Sequence, residues 1–140
     1  MTDLAKLRHQ QAQILRLLPR FEGLIIQPRP PRQLHLLALR HELSLILVDH
    51  LKAADRMLYP RLLVSDEEGI ATVARSFGEQ MGGLAELYAN HCRRWGAEAM
   101  AANWAAYCSD SRELIDALTT RIRRERRELF PLLERFDWAA

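Results

Sequence analysis

Apolar side chains recur along most of the chain at alternating steps of three and four residues, the spacing that lines one face of an α-helix. The first such stripe consists of Leu4, Leu7, Gln11, Ile14 and Leu18. Three later stretches carry comparable stripes, and none shows the alternation that is typical of a half-buried strand. The pattern predicts an all-α fold, an up-and-down four-helix bundle with helices at about residues 3–18, 33–63, 66–95 and 110–135.

Prolines suggest where the first two helices end. Pro19 is expected to end the first helix, because proline lacks the amide donor that a helix interior needs. Three prolines between Gly23 and Pro31 predict an ordered crossover that packs on the bundle through residues 24–26. Pro60 is expected to kink or terminate the second helix.

Short polar signals suggest the bounds of the other two helices. Ser65, three residues before Glu68, predicts an N-terminal cap for the third helix, and Gly96 is a plausible stop at its other end. An alanine-rich linker helix is expected at about residues 97–106. The fourth helix is then expected to begin after Ser109-Asp110 and to continue to the end of the bundle.

Length, composition and charge fit a small globular protein. The chain has 140 residues, of which 49% are hydrophobic and 27% charged, so residues 1–140 are predicted to form a single domain. Neither a leader-like apolar stretch nor a membrane span is evident, and a cytoplasmic location is expected. In that compartment Cys92 and Cys108 are expected to be reduced. The net charge of +2 points to no particular partner.

Polar residues interrupt three of the apolar stripes. Gln11 lies in the first stripe, His50 in the second, and Arg121 and Glu125 in the fourth. Burial of an unpaired amide or charge costs several kcal/mol, so these four side chains are expected to meet and to bond to each other across the bundle. We call these four residues the central polar layer. Arg121 and Glu125, four residues apart, are expected to form an ion pair.

Two segments of the chain repeat one pattern. The segments His50–Pro60 and Arg121–Pro131 begin 71 residues apart, and each ends in Leu, an aromatic residue and Pro. The pattern resembles that of hemerythrin-like domains, in which His, a Glu four residues later and then Leu-Phe-Pro or Leu-Tyr-Pro occur on the second and on the fourth helix. Leu7-Arg8-His9-Gln10-Gln11 also resembles the first-helix motif of the family, and the resemblance covers roughly residues 4–135.

The resemblance implies a di-iron centre, but most of the positions that would hold it carry other residues. The first-helix His of the family falls on Gln11, the second-helix His on His50 and its Glu partner on Ala54. On the fourth helix, the His falls on Arg121 and its Glu partner on Glu125. The third-helix position falls on Met81. His50 and Glu125 are therefore the remaining candidate metal ligands, and Arg121 would repel a cation.

Neighbouring residues do not restore the ligand set. Asp55 lies one residue beyond Ala54, which rotates its side chain by about 100°, toward a flank of the bundle. His9 lies two residues from the expected first-helix position and is interpreted as a surface or boundary residue. His35 and His41 are also interpreted as surface or flank residues, and His91 is expected near a bundle end beside Trp95.

The run Arg121–Arg127 could suggest a nucleic-acid surface. Glu125 and Glu128 interleave with its arginines, the net charge is low and no aromatic residue lies within the run. A solvated helix flank with an Arg124–Glu128 pair is favoured instead, and nucleic-acid binding is the least favoured of the functions considered.

The sequence therefore favours a divergent hemerythrin-like protein without a di-iron centre or other cofactor, which acts as a small binding or regulatory module. Its expected partner is another protein or a second copy of the chain, with Phe136 and Trp138 as candidate contacts. The alternative is a reduced metal site at His50 and Glu125, with iron as its cofactor and a role in sensing oxygen, nitric oxide or iron. No catalytic motif is present, so no enzymatic activity is expected.

Overall fold

The fold was analysed in a computed structural model of the chain, which describes residues 3–135. The helices are α1 (Asp3–Ile25), α2 (Gln33–Ala53), α3 (Tyr59–Leu63), α4 (Glu68–Met81), α5 (Leu84–Arg94), α6 (Ala97–Ala102), α7 (Trp104–Arg124) and α8 (Phe130–Arg135). Two π-helical turns, Ala54–Leu58 and Glu125–Leu129, join α2 to α3 and α7 to α8. The prediction of an all-α bundle is confirmed.

These helices form four rods around a common core. The first rod is α1, the second is α2 with α3, the third is α4 with α5, and the fourth is α7 with α8. The rod α1 packs against α2 and α7, while α5 packs against the same two helices from the other side. The core consists of two apolar clusters. One contains Ile14, Leu47 and Leu118, and the other contains Leu7, Leu58 and Leu129. Gln11 and Glu125 of the central polar layer lie between the two clusters in sequence, whereas His50 and Arg121 are flanked by residues of the first cluster. No helix within residues 3–135 is long and apolar enough to cross a membrane.

Helix α1 continues through Pro19 to Ile25, so the predicted end at residue 18 is wrong. Pro19 is exposed, whereas Phe21 and Ile25 extend the buried stripe. Burial of these two side chains contributes about 1.5–3 kcal/mol each, enough to offset the cost of about 3 kcal/mol for an interior proline. Residues 24–26 were predicted to pack on the bundle. Ile25 does so, but Ile26 is 65% exposed.

Each of the two Leu-aromatic-Pro segments continues past its proline because a π turn precedes it. In the first turn the Tyr59 amide donates to the Ala54 carbonyl, and in the second the Phe130 amide donates to the Glu125 carbonyl. Each bond spans five residues instead of the four of an α-helix. The backbone just before the proline is therefore released from the regular α-helical hydrogen-bonding register. Pro60 therefore does not terminate the second rod, which reaches Leu63 as predicted.

The third rod is broken, contrary to the prediction of one helix over residues 66–95. Gly83 has a φ of 82°, and α5 begins at the next residue. A Cβ atom at Gly82 would lie 2.5 Å from the Gly78 carbonyl oxygen. Only glycine readily adopts the positive φ at residue 83, and only glycine lacks the Cβ atom that would clash at residue 82. At the start of this rod, the Ser65 hydroxyl accepts the Glu67 amide at 3.1 Å, so it closes the turn before α4 rather than capping α4.

The fourth rod begins earlier than predicted, at Trp104 rather than after residue 110. The side chain of Asn103 accepts the Ala106 amide at 3.2 Å and provides the N-terminal cap. Ser109 and Asp110 consequently lie inside α7, and the linker helix is confined to α6. Asparagine is as good a cap as serine, and Trp104, the first residue of α7, is buried.

Candidate functional site: the central polar layer

The structure brings all four residues of the central polar layer together in the interior. Gln11 is fully buried, and His50, Arg121 and Glu125 are each 1% exposed. They come from α1, α2, α7 and the start of the second π turn. Charged side chains are rarely this inaccessible unless they are paired. The contacts within the layer therefore decide whether it is stable and what it could bind.

Glu125 is the acceptor at the centre of the layer. Its Oε1 accepts the Gln11 Nε2 amide at 2.8 Å, and its Oε2 accepts the Arg121 Nε at 3.2 Å and the Tyr59 hydroxyl. Burial alone would raise the pKa of Glu125, but His50, the Arg121 charge and the Tyr59 hydroxyl together hold this pKa below its ordinary value. Glu125 is therefore a carboxylate at neutral pH.

Arg121 lies between two carboxylates. Its guanidinium contacts Glu125 through Nε and donates through a terminal nitrogen to Asp55 Oδ1 at 2.8 Å. The guanidinium carbon also lies 5.4 Å from the centre of the Tyr59 ring. Burial lowers the pKa of Arg121, but the charge of Glu125 more than compensates. Burial, followed by the charge of the same carboxylate, raises the pKa of Tyr59, which keeps its proton.

His50 has a defined hydrogen-bonding arrangement. Gln10 donates its amide nitrogen to Asp49 Oδ2 at 3.0 Å, which directs its carbonyl oxygen toward His50 Nδ1, also at 3.0 Å. His50 therefore donates from Nδ1 to this oxygen. Its other nitrogen, Nε2, lies 3.4 Å from the Gln11 amide nitrogen and 3.8 Å from Glu125 Oε1. The Oε1 of Gln11 is buried without a hydrogen-bond partner among the described residues.

The two π turns place Glu125 and its partner Tyr59. Ala54 starts the first turn and Glu125 the second, and adding the repeat distance of 71 residues to 54 gives 125. The sequence repeat is therefore also a backbone repeat. Tyr59, which follows the first turn, reaches across the core to the carboxylate that starts the second. Turns of this type are frequent at functional sites of helical proteins.

The arrangement does not fit a di-iron centre. At two of the positions that correspond to ligands, Ala54 offers no donor atom and Arg121 is a cation in direct contact with Glu125. The side chain of Met81, the third-helix position, lies outside the described residues. Within the described part of the chain, no three His, Cys, Asp or Glu side chains are grouped so that they could hold a metal ion. His50 and Glu125 are neighbours, but they make only a pair.

The other sequence-predicted residues lie away from this layer. His9, His35 and His41 are exposed. His91 is half-buried, and its Nε2 lies 3.0 Å from the Ser111 hydroxyl. The Arg124–Glu128 pair forms at 2.8 Å on the surface of the basic run. Phe136 and Trp138, the candidate partner contacts, lie outside the described residues.

Sequence reasoning missed three members of the network. Tyr59 is the aromatic residue of the first repeat, and its counterpart Phe130 has no hydroxyl, so only a comparison of the two repeats could have indicated a polar role. Asp55 lies on the flank, as its position predicts, but the long Arg121 side chain reaches it. Gln10 was not predicted because it lies beside the apolar stripe of α1, yet its side chain is hydrogen-bonded to His50.

Comparison with known proteins identifies a family. The family model described as Hemerythrin HHE cation binding domain matches residues 2–133, which is nearly the whole chain. No curated protein and no solved structure matches the chain.

Proposed function

Because the chain belongs to the hemerythrin HHE cation-binding domain family, its central polar layer occupies the place where the resemblance implies metal ligands, and we propose that this member has no di-iron centre. It acts instead as a small binding or regulatory module that catalyses no reaction of its own. One observation carries the proposal. The Arg121 guanidinium bridges Glu125 and Asp55 inside the bundle, so the protein itself supplies the positive charge that a metal would bring.

The energetics of the layer support this proposal. A metal ion at Glu125 would have to displace the guanidinium at 3.2 Å or lie next to it as a like charge. Displacement would leave a buried cation without its partner, which costs about 3–5 kcal/mol. Two remaining donors, His50 and Glu125, offer little to offset that cost, since related bundle sites use about six side chains for two metal ions.

Metal-dependent stability tests this proposal. Ligands that bind the folded state alone raise stability by about 2.7 kcal/mol at one hundred times their dissociation constant. We expect the midpoint of thermal unfolding to be the same in chelator and in excess ferrous or zinc ions. The variant Gln11→His/Ala54→Glu/Arg121→His, which restores the family residues at three positions, serves as a matched comparison and should gain metal-dependent stability. A rise for the natural chain would overturn the proposal.

A surface groove supports the binding role. It has a volume of about 370 Å³, lies between α5 and α7, and is lined by Leu84, Leu87 and Leu114, with Glu113 and Asp110 among its polar residues. Leu87 is 55% exposed. The proposed partner is another protein or a second copy of the chain, in a cytoplasmic setting that suits the two free thiols. Sedimentation of the natural chain and of Leu87→Lys would distinguish self-association from a monomer.

A second candidate is a reduced metal site, favoured by the unpartnered Oε1 of Gln11. This oxygen, His50 and Glu125 are neighbours in the layer and are the donor types that a single cation could use. The role would then be the sensing of oxygen, nitric oxide or iron. About one equivalent of metal per chain, lost in Glu125→Gln, would favour this candidate over the first.

A further inference from the structure

A second groove lies on the surface of the bundle, between the second rod and α5. It has a volume of about 330 Å³. One wall of the groove is formed by Lys52, Asp55 and Arg56. The other wall is formed by Glu86 and by three small residues of α5 and its N-terminal cap, Gly83, Ala85 and Ala89. Because these three have no side chain larger than a methyl group, another surface can approach α5 closely.

The two walls carry opposite charges that are not paired with each other. Lys52 and Arg56 are exposed on one wall, and Glu86 is exposed on the other. Within the part of the chain that the structure describes, none of these three side chains forms an ion pair. Asp55 does not neutralise its basic neighbours, because its carboxylate accepts from Arg121 at 2.8 Å. One wall is therefore basic and the other acidic.

Exposed leucines extend this surface along both helices. Leu45 of α2 is 67% exposed and Leu87 of α5 is 55% exposed. Leu45 lies two turns before Lys52 and therefore on the same face of α2. The residues next to the two leucines, Ser44 and Tyr88, meet through their hydroxyl groups at 2.6 Å. Since α2 and α5 run in opposite directions, Leu45 and Leu87 lie at about the same level along the groove.

A two-fold axis makes this surface complementary to itself. We call Leu45, Lys52, Arg56, Glu86 and Leu87 the α2–α5 surface. An axis that runs along the groove places the α2 wall of one copy against the α5 wall of the other, and every contact then occurs twice. Glu86 of each copy faces the basic wall of the other copy. At the level of the leucines, Leu45 of each copy faces Leu87 of the other.

We propose that the α2–α5 surface binds a second copy of this chain to form a two-fold symmetric dimer. The inference rests on the proposed binding role, and it assigns that role one partner and one surface. A uniformly acidic or basic partner would satisfy only one wall, whereas a second copy satisfies both. A stable interface buries about 1,200–2,000 Å² in total, so contacts beyond the groove are needed. The exposed leucines provide apolar contacts of this kind.

Charge reversal tests the pairing of the two walls. In sedimentation velocity, the natural chain should have twice the 16.2 kDa mass of one chain. Lys52→Glu and Glu86→Lys each place like charges opposite each other at both contacts, so each should raise the dissociation constant of the dimer roughly tenfold or more. An equimolar mixture of these two variants restores an opposite pair at both contacts and should dimerise as the natural chain does.

A matched control accompanies these variants. Glu22 is exposed on α1, which packs against α2 and α7 from the side opposite α5. Glu22→Lys is therefore a charge reversal of the same kind away from the α2–α5 surface, and it should leave the dimer intact. Equal weakening by Glu22→Lys, or no recovery in the mixture of Lys52→Glu and Glu86→Lys, would overturn the proposal.

Leucine substitutions locate the contact. Leu45→Lys and Leu87→Lys should both weaken the dimer. Weakening by Leu87→Lys alone would place the contact in the groove between α5 and α7 and would contradict the α2–α5 surface. A natural chain that is monomeric at every concentration measured would also overturn the proposed dimer. That result would leave the proposed absence of a di-iron centre intact, because metal content is measured independently of mass.

Discussion

The two buried arginines of this bundle lie in similar surroundings but are neutralised in different ways. Arg121 bridges two carboxylates, Glu125 and Asp55, so its charge is balanced by the chain itself. Arg40 contacts two helix-end carbonyls, a sulfur and an aromatic ring, and these neutral groups offset only part of its charge. The first arginine therefore depends on charged partners, whereas the second depends on neutral ones.

This difference bears on how each region should respond to substitution. In the central polar layer, the position that the family resemblance assigns to a metal ligand carries a residue of the same sign as a metal, and its neighbours are committed to it. Arg40, in contrast, is held only by neutral groups of the chain. We therefore expect substitutions to have unequal effects in the two regions.

The largest effect is expected when Arg121 alone is replaced. Arg121→Leu leaves Glu125 buried without its cation and should lower the free energy of unfolding by about 3–5 kcal/mol. The double variant Arg121→Leu/Glu125→Leu removes both charges and should be tolerated or stabilised. Urea unfolding of both proteins measures the difference. Equal destabilisation by the single and the double variant would show that the pair is not the organising interaction of the layer.

A smaller loss is expected at Arg40. Arg40→Met strands no carboxylate but removes the donors to two buried carbonyls, so it should cost about 1–3 kcal/mol. The exposed Arg94→Met should change stability by no more than about 0.5 kcal/mol. A loss at Arg40 as large as that of Arg121→Leu would mean that Arg40 has an anionic partner within the chain, and the comparison between the two sites would fail.

Acid titration should separate the two regions further. The pKa of folded Glu125 lies below the value of 4.5 that applies to the unfolded chain. Its contribution to stability is therefore complete above pH 4.5 and is lost as the pH falls through the folded pKa. Glu125→Gln should lack this loss. Unfolding free energies of both proteins between neutral pH and acid would reveal it, and parallel profiles would contradict the pairing of Glu125.

His91 should give a weaker dependence in a different pH window. Burial and the charge of Arg40 lower the pKa of His91 to about 4, compared with 6.5 in the unfolded chain. The unfolded chain takes up a proton that folded His91 does not, so stability should be complete above pH 6.5 and fall between pH 6.5 and 4. A titration of the imidazole resonances by NMR measures the folded pKa. A value near 6.5 would contradict the effects of burial and of the nearby Arg40 charge on His91.

Much of this account could be predicted from the sequence because apolar periodicity and the repeated segments report directly on helices and their register. The stripes predict the rods, and their interruptions at Gln11, His50, Arg121 and Glu125 point to residues that the fold brings together. The break at Gly82-Gly83 was missed because the apolar stripe continues across it. Periodicity alone also cannot show that α1 passes Pro19, since that outcome depends on what Phe21 and Ile25 bury.

The partners of the long side chains were harder to predict. Asp55 is correctly placed on a flank, but only the fold shows that Arg121 extends far enough to reach it. Arg40 gives no signal at all, since an arginine beside an apolar stripe is ordinarily solvated. Its burial follows from the way α5 ends at Trp95, in a distant part of the chain.

The central claim, that Arg121 takes the place of a metal, is tested most directly by elemental analysis. The natural chain should be expressed in iron-supplemented cells, purified without chelator or histidine tag, and examined together with its absorption spectrum. We predict substantially less than one metal ion per chain and no absorption from an oxo-bridged iron pair. About two irons per chain with that absorption would contradict the claim, because such a centre requires more ligands than His50 and Glu125 provide.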